Sequence, residues 1–337
     1  MKLVRIAGVM VRYRVALLLL PFFLLAPAVH GALGGFRWSY VTGIVALLSS
    51  YVVATCLNDV FDVEVDRVNH AGAADRPLVS GLATVGALVS LALVFAVVAI
   101  GAAAVVGREA LVLILISLAL NFAYSVPPVR LCARPVPAPL VLGFAYVVLP
   151  YGVGLAASGA SPDGLDLRIV AAFTVLFVGR MLLKDFRDRR GDAAFGKRTV
   201  LLTYGKDTTL AAVLGCVATG DLMLMTIELP NSMVLAIMTQ TFFAAIGLEL
   251  YKLWRATTPD AELTAIARGA RMGNAVVLTW LGFVLLRGAG APDGERAAFV
   301  LAISAIVWFA FLLPASAAAT PAASAREASA AEAARAS

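Results

Sequence analysis

Apolar runs of roughly 16 to 25 residues recur along the chain, separated by short polar segments. They fall at Val15–Leu33, Trp38–Leu57, Leu82–Val106, Ala110–Ser125, Pro137–Ser158, Ile169–Leu183, Thr208–Glu228, Ser232–Leu253, Met272–Leu286 and Ala297–Leu313. Runs of this length, wound as helices, match a hydrocarbon core of about 30 Å. The pattern predicts an all-α fold: a polytopic bundle of transmembrane helices. The N-terminal basic stretch and first run resemble a secretory signal, but the later runs keep the same spacing, which favours a first membrane helix.

Basic residues orient the bundle. With the N-terminus in the cytoplasm, the inner loops hold Arg67 and Arg76; Arg130 and Arg134; Lys184 through Lys206; and Lys252 through Arg271. The outer loops hold only Arg37, Arg108, Arg168, Arg287 and Arg296. This bias implies an integral protein of the plasma or inner membrane with a cytoplasmic N-terminus. Residues 1–314 form the membrane domain, and 315–337 an Ala/Ser-rich low-complexity cytoplasmic tail.

Composition agrees. The 337 residues are 61% hydrophobic and only 14% charged, with mean hydropathy +0.91. That little polar surface does not cover a water-soluble particle of this size. The net charge of +6 lies in short loops and so reads as topology rather than as a nucleic-acid surface. Three scattered cysteines and two histidines build no zinc, haem or iron–sulfur spacing.

Two inner segments are unlike the rest. Asn58-Asp59-x-x-Asp62-x-x-x-Asp66-Arg67 follows the second run, and Asp185-x-x-Asp188-x-x-x-Asp192 follows the sixth. On a helix the i, i+3, i+7 spacing stacks three carboxylates on one face, where they repel one another and call for a counter-charge. Hard divalent cations meet that need, and Mg²⁺ takes one or two carboxylates while keeping positions for water and phosphate. Asn58, one turn before Asp62, adds a neutral oxygen. Two copies at one membrane depth point to a shared diphosphate cradle.

These motifs resemble those of the UbiA superfamily of intramembrane prenyltransferases, over about residues 10–290. The likeness includes Arg76-Pro77-Leu78-x-x-Gly81, Gly196-Lys197-Arg198-Thr199 and the tyrosine segment Asn121-x-x-Tyr124-Ser125-x-Pro127-Pro128. It implies nine transmembrane helices, one fewer than the apolar runs, around a central cavity with a cytoplasmic cap. It also implies Mg²⁺-dependent transfer of a prenyl group from its diphosphate to an aromatic, small or lipidic acceptor within the membrane. Metal would be held by Asn58, Asp62, Asp188 and Asp192. Asp59, Asp66, Asp185 and Tyr124 would serve catalysis, by orienting metal waters, deprotonating an acceptor or stabilising a cation. Arg67, Arg76, Arg130, Lys197 and Arg198 would bind diphosphate. One departure is that Cys132 stands about where the family carries a lysine.

Two other readings remain open on sequence. A terpene cyclase of the same family would use the same metal site without an acceptor. A cation-binding transporter would more usually place its acids near the midplane. Asp221, Glu249, Arg180 and the pairs Phe22-Phe23 and Phe242-Phe243 are further residues to locate in three dimensions.

Overall fold

The computed structural model describes residues 2–70, 73 and 76–312, so the tail 315–337 lies outside the described residues. The apolar runs fall mainly on helix among the described residues. In chain order the elements are α1 (Lys2–Met10), α2 (Tyr13–Ala16), α3 (Leu19–Val29), α4 (Trp38–Phe61), α5 (Val63–Asn69), α6 (Val85–Val106) and α7 (Arg108–Ser125). They continue with α8 (Pro137–Gly143), α9 (Leu149–Ser158), α10 (Gly164–Ala194), α11 (Val200–Met225), α12 (Met233–Arg255), α13 (Pro259–Gly288) and α14 (Asp293–Leu312). There is no strand among the described residues. A π-helical turn, Phe144–Val148, joins α8 to α9 just ahead of Pro150, whose ring and missing N–H forbid a regular turn there.

Eight helices among the described residues are long and apolar enough to cross a membrane, counting Pro137–Ser158 as one. The 31-residue α10 stands outside that set; its first half is apolar, and it carries the second acidic motif beyond that half. The chain is therefore an integral membrane protein. Sequence signals set the helix starts: Thr84, Asp163, Thr199 and Thr258 each cap a backbone N–H of the first turn of α6, α10, α11 and α13.

The first run is the exception. Expected as one span, Val15–Leu33, it is divided into α2 and α3. Pro21 cannot donate to Leu17 four residues back, which breaks the ladder. The remaining 11 residues of α3 rise only about 16 Å. Arg12, with φ at 42°, turns the chain between α1 and α2.

Neighbouring helices pack α4 on α6, α10 on α11 and α12 on α13, while α3 lies along α9 and α13. The main core gathers Phe22, Phe173, Phe242, Trp280 and Phe283 between them. At one end of the bundle, α5, the short helical turn Leu131–Ala133 and the connection from α10 to α11 at Lys197 and Thr199 contribute residues around the acidic motifs. Gly205 sits at φ 83°, ψ 176° inside α11, a backbone shape that other residues rarely adopt.

Candidate active site

The first motif straddles a bend. α4 stops at Phe61, Asp62 adopts φ −109° and ψ 11°, and α5 starts at Val63. The unbroken helix expected over Asp59–Asp66 is therefore corrected to two helices. Helical hydrogen bonding still bridges the bend, with Asp62 N–H donating to Asn58 O at 2.9 Å and Asp66 N–H to Asp62 O at 2.8 Å.

All three carboxylates are buried, and each meets a cation from a distant part of the chain. Arg12 and Arg76 both reach Asp59, and Arg76 also reaches Asp66 at 2.8 Å. Arg130 and Lys197 hold Asp62 at 2.8 and 2.7 Å, and Asn58 Nδ2 donates to it at 3.0 Å.

The second motif rides on continuous α10, as its spacing requires. Asp188 has Arg187 at 3.0 Å and Lys184 and His70 each at 3.7 Å. Asp192 shares Lys197 at 3.5 Å. Asp185 forms no ion pair among the described residues.

Three contacts tie the motifs together. Lys197 lies between Asp62 and Asp192, and His70 reaches Asp188 from the end of α5. The Gly191 N–H donates to Asn69 Oδ1 at 2.6 Å. A Cβ at Gly191 would lie within 2.8 Å of the Asn69 amide, so this approach of α5 to α10 needs glycine.

The electrostatics follow from these partners. Burial alone would raise the Asp62 carboxyl, but Lys197 and Arg130 hold it below the usual carboxylate range. Asp188 is likewise lowered to about 2 against its burial, by Lys184, Arg187 and His70. Burial wins elsewhere. Asp66 is pushed up to about 6 despite Arg76, with Asp59 and Asp62 adding repulsion. Asp185 is pushed up to about 7, with Lys184 opposing and Asp192 and Asp188 adding to it.

These acids line a small polar pocket of about 50 Å³ together with Asn58, Asn69, Tyr124, Cys132 and Thr199. It adjoins a chamber of about 580 Å³, the two sharing Asn58, Arg76, Tyr124 and Lys184. The chamber is mostly apolar, walled by Phe22, Phe173, Phe177, Val213, Phe243 and Val276 among others. Tyr51 and Tyr146 also face it, and Tyr146 stacks on Phe177 at 5.1 Å. A polar mouth on an apolar chamber suits an amphiphile with an anionic head.

The structure brings most of the expected residues together: Asn58, Asp62, Asp66, Arg76, Tyr124, Asp185, Asp188, Asp192 and Lys197 line the pocket. Asp59 and Arg130 join through Arg76 and Asp62. Two expectations are corrected. Arg67 pairs with exposed Glu64 on the outer side of α5, because position 67 falls one residue past the inward face. Arg198 is exposed, and only its backbone N–H is engaged, with Ala133 O. Neither lines the pocket or the chamber.

Other residues were not legible as site residues. Arg12 belonged to the N-terminal basic stretch that resembles a secretory signal, yet it reaches Asp59. Tyr51 and Tyr146 lay unmarked within apolar runs. Of the phenylalanine pairs, Phe22 and Phe243 face the chamber, while Phe23 and Phe242 are fully buried in packing. Asp221 is engaged by Gln240 at 2.6 Å in a contact between helices.

The donor set fits a hard divalent cation. It comprises the carboxylate oxygens of Asp62, Asp188 and Asp192 and the amide oxygen of Asn58, all lining one polar pocket. Another cluster, His30, Asp163 and Asp166, sits at the opposite end of the bundle. There Asp163 and Asp166 form the capping box of α10, and Tyr151 and His30 bind Asp166. That geometry accounts for the cluster as a helix start.

The comparisons with known proteins agree with this architecture. A solved chain described as digeranylgeranylglyceryl phosphate synthase in membranes superposes with a TM-score of 0.64 at 14% identity, covering 85% of this chain and 99% of that one. A UbiA homolog from Archaeoglobus fulgidus, bound to GPP and Mg²⁺, gives 0.53 at 18% identity over 87% and 98%. At those identities the likeness is one of fold. In sequence the chain is 33% identical over 159 residues to digeranylgeranylglyceryl phosphate synthase of Methanopyrus kandleri, covering 46% of this chain and 54% of that protein. It is 24% identical over 201 residues to chlorophyll synthase of Arabidopsis thaliana, covering 55% and 51%. The chain thus spans about half the length of the curated relatives it matches. The model of the UbiA prenyltransferase family matches residues 15–270. The chain belongs to the UbiA prenyltransferase family.

Proposed function

We propose that this protein transfers a prenyl group from a prenyl diphosphate to a small or lipidic acceptor within the membrane, with Mg²⁺ as cofactor. The observation that carries this reading is the polar pocket of two acidic motifs opening directly onto the 580 Å³ apolar chamber. The names of its relatives, and the GPP and Mg²⁺ bound to the Archaeoglobus homolog, support the reading.

Asn58, Asp62, Asp188 and Asp192 would hold Mg²⁺. The metal would supply the positive charge that ionisation of an allylic diphosphate demands. Arg76, Arg130 and Lys197 already stand among the acids and would donate charge-assisted hydrogen bonds to the departing diphosphate. Tyr124, at the junction, and Tyr146 and Phe177 beyond it present aromatic faces to the prenyl cation. The apolar walls exclude water that would capture the cation. Asp59, Asp66 and Asp185 remain to orient metal-bound waters or to take the acceptor proton. Cys132, which stands about where the family carries a lysine, lines the pocket with Asp62 and Lys197.

The motif end faces the cytoplasm of a plasma or inner membrane in this reading, as the basic loops require. Single cysteines at Ala73 and Ala193, in a background lacking native cysteines, will be blocked from an impermeant thiol reagent in intact cells and labelled after permeabilisation. Opposite exposure of the two would rule out one shared diphosphate. The activity itself is tested by mass spectrometry of products from membranes given a panel of prenyl diphosphates and acceptors. EDTA will abolish product and Mg²⁺ restore it; full activity without metal would defeat the reading. A product made from donor alone would assign cyclisation instead.

A further inference from the structure

Arg180 lies on α10 within its apolar half, on the chamber wall and not in the acidic pocket. It precedes Asp185 by five residues, so the two side chains leave the helix about 140° apart, one toward each cavity. Its Nη1 donates to Asn274 Oδ1 across to α13, and its guanidinium stands 6.0 Å from the centre of the Phe177 ring. Neither neighbour carries negative charge.

The nearby acids are engaged elsewhere. Glu249, on the same chamber wall, accepts from Lys252 at 2.7 Å, and Asp188 serves Lys184 and Arg187. Among the described residues no carboxylate forms an ion pair with Arg180. The contrast with Arg12, Arg76, Arg130 and Lys197 is direct, since each of those is matched by an aspartate. A cation held in an apolar wall without a counter-ion is costly unless a ligand brings the charge.

We infer that Arg180, oriented by Asn274, binds an anionic group, carboxylate or phosphate, on the acceptor, and so determines which acceptors the chamber takes. This rests on the prenyl-transfer reading for the word acceptor, but the anion site is testable without turnover. The guanidinium gives a planar fork for two oxygens. The surrounding apolar wall requires the rest of the ligand to be hydrophobic. The ligand class is an amphiphilic anion, and a free inorganic anion lacks the second half of that match.

The test uses the purified full chain in detergent with EDTA and no prenyl donor, so it stands or falls separately from prenyl transfer. Probes are dodecyl phosphate, dodecanoate, dodecanol and inorganic phosphate, read by calorimetric titration and thermal melting. Dodecyl phosphate and dodecanoate should bind and stabilise, and dodecanol and inorganic phosphate should do so far more weakly. Arg180→Gln should weaken the two anions by about tenfold to a hundredfold, the loss of a charged hydrogen-bond pair. Arg180→Lys should retain part of the affinity, and Asn274→Leu should lose several-fold. Unliganded Arg180→Gln should melt no lower than wild type, because it removes an uncompensated charge.

Undiminished anion binding by Arg180→Gln would place the anion among Arg12, Arg76 and Lys197 and overturn the inference. Inorganic phosphate binding as tightly as dodecyl phosphate would do the same. So would a marked drop in unliganded melting, which would make Arg180 structural.

Discussion

The two acidic motifs share a spacing but live in different surroundings. Asp59, Asp62 and Asp66 sit at a helix bend, and Arg12, Arg76, Arg130 and Lys197 reach them from four separate stretches of chain. Asp185, Asp188 and Asp192 ride on one continuous helix, and two of the cations beside them, Lys184 and Arg187, come from the same helix and are exposed. The first motif draws its counter-charges mostly from distant stretches of chain, whereas the second draws two of its own from the helix that carries it. Each motif keeps one acid raised by burial, Asp66 to about 6 and Asp185 to about 7.

The largest effects should fall on activity, where the difference between the motifs disappears. Asp62→Asn and Asp188→Asn should each lower kcat by on the order of a hundredfold or more, since each removes an electrostatic stabiliser from one site. Initial rates at saturating Mg²⁺ and prenyl diphosphate check this. A loss confined to one motif would break the symmetry of the account.

Stability should separate them. Asp62→Asn strands Lys197 and Arg130, side chains 9% and 29% exposed, and should cost about 2–3 kcal/mol, the upper figures for such pairs being discounted for the wetter arginine. Asp188→Asn frees Lys184 and Arg187, 44% and 55% exposed, and loosens His70 at 3.7 Å, and should cost about 1 kcal/mol. Thermal melting of the metal-free protein in detergent compares the two.

Asp185→Asn should move the other way. An acid whose folded pKa is raised costs stability once ionised, and that cost grows as pH climbs from the unfolded value near 4 through about 7. The variant should therefore melt higher than wild type at pH 8, by on the order of 2 kcal/mol after solvent screening, and about equal to it at pH 4. A pH series of melting curves without metal reads the difference.

The smallest effect concerns the join. Gly191→Ala should push the Asn69 amide away by on the order of an ångström and break its hydrogen bond to the residue 191 N–H, lowering activity several-fold with a loss of about 1 kcal/mol in melting. A hundredfold loss would mean that the two helices have no freedom to adjust.

What the sequence conveyed is local. Apolar run lengths marked the eight helices long enough to cross a membrane, but not the division of the first run, where Pro21 and Arg12 split what composition alone reads as one span. The i, i+3, i+7 aspartates were visible because the chemistry and its period lie within ten residues. Their cations were not, because Arg12 and Asp59 are 47 residues apart and Lys197 and Asp62 are 135 apart, so only folding brings them together. Arg67 and Arg198 show the converse: adjacency to a motif put them on the expected list, but helix phase turns Arg67 outward on α5, and Arg198 is exposed in the connection between α10 and α11. Tyr146 owed its place to the widened turn before Pro150, which shifts the register that a regular helix would keep.

The central claim is that two differently prepared motifs act on one diphosphate. A double-mutant cycle on Asp62→Asn and Asp188→Asn, measured as kcat in variants confirmed folded by detergent size exclusion, tests it most directly. If the motifs form one unit, the double variant will be little slower than the slower single variant, because residues acting together are strongly non-additive. If the two losses multiply, the motifs serve independent sites and the shared cradle is contradicted.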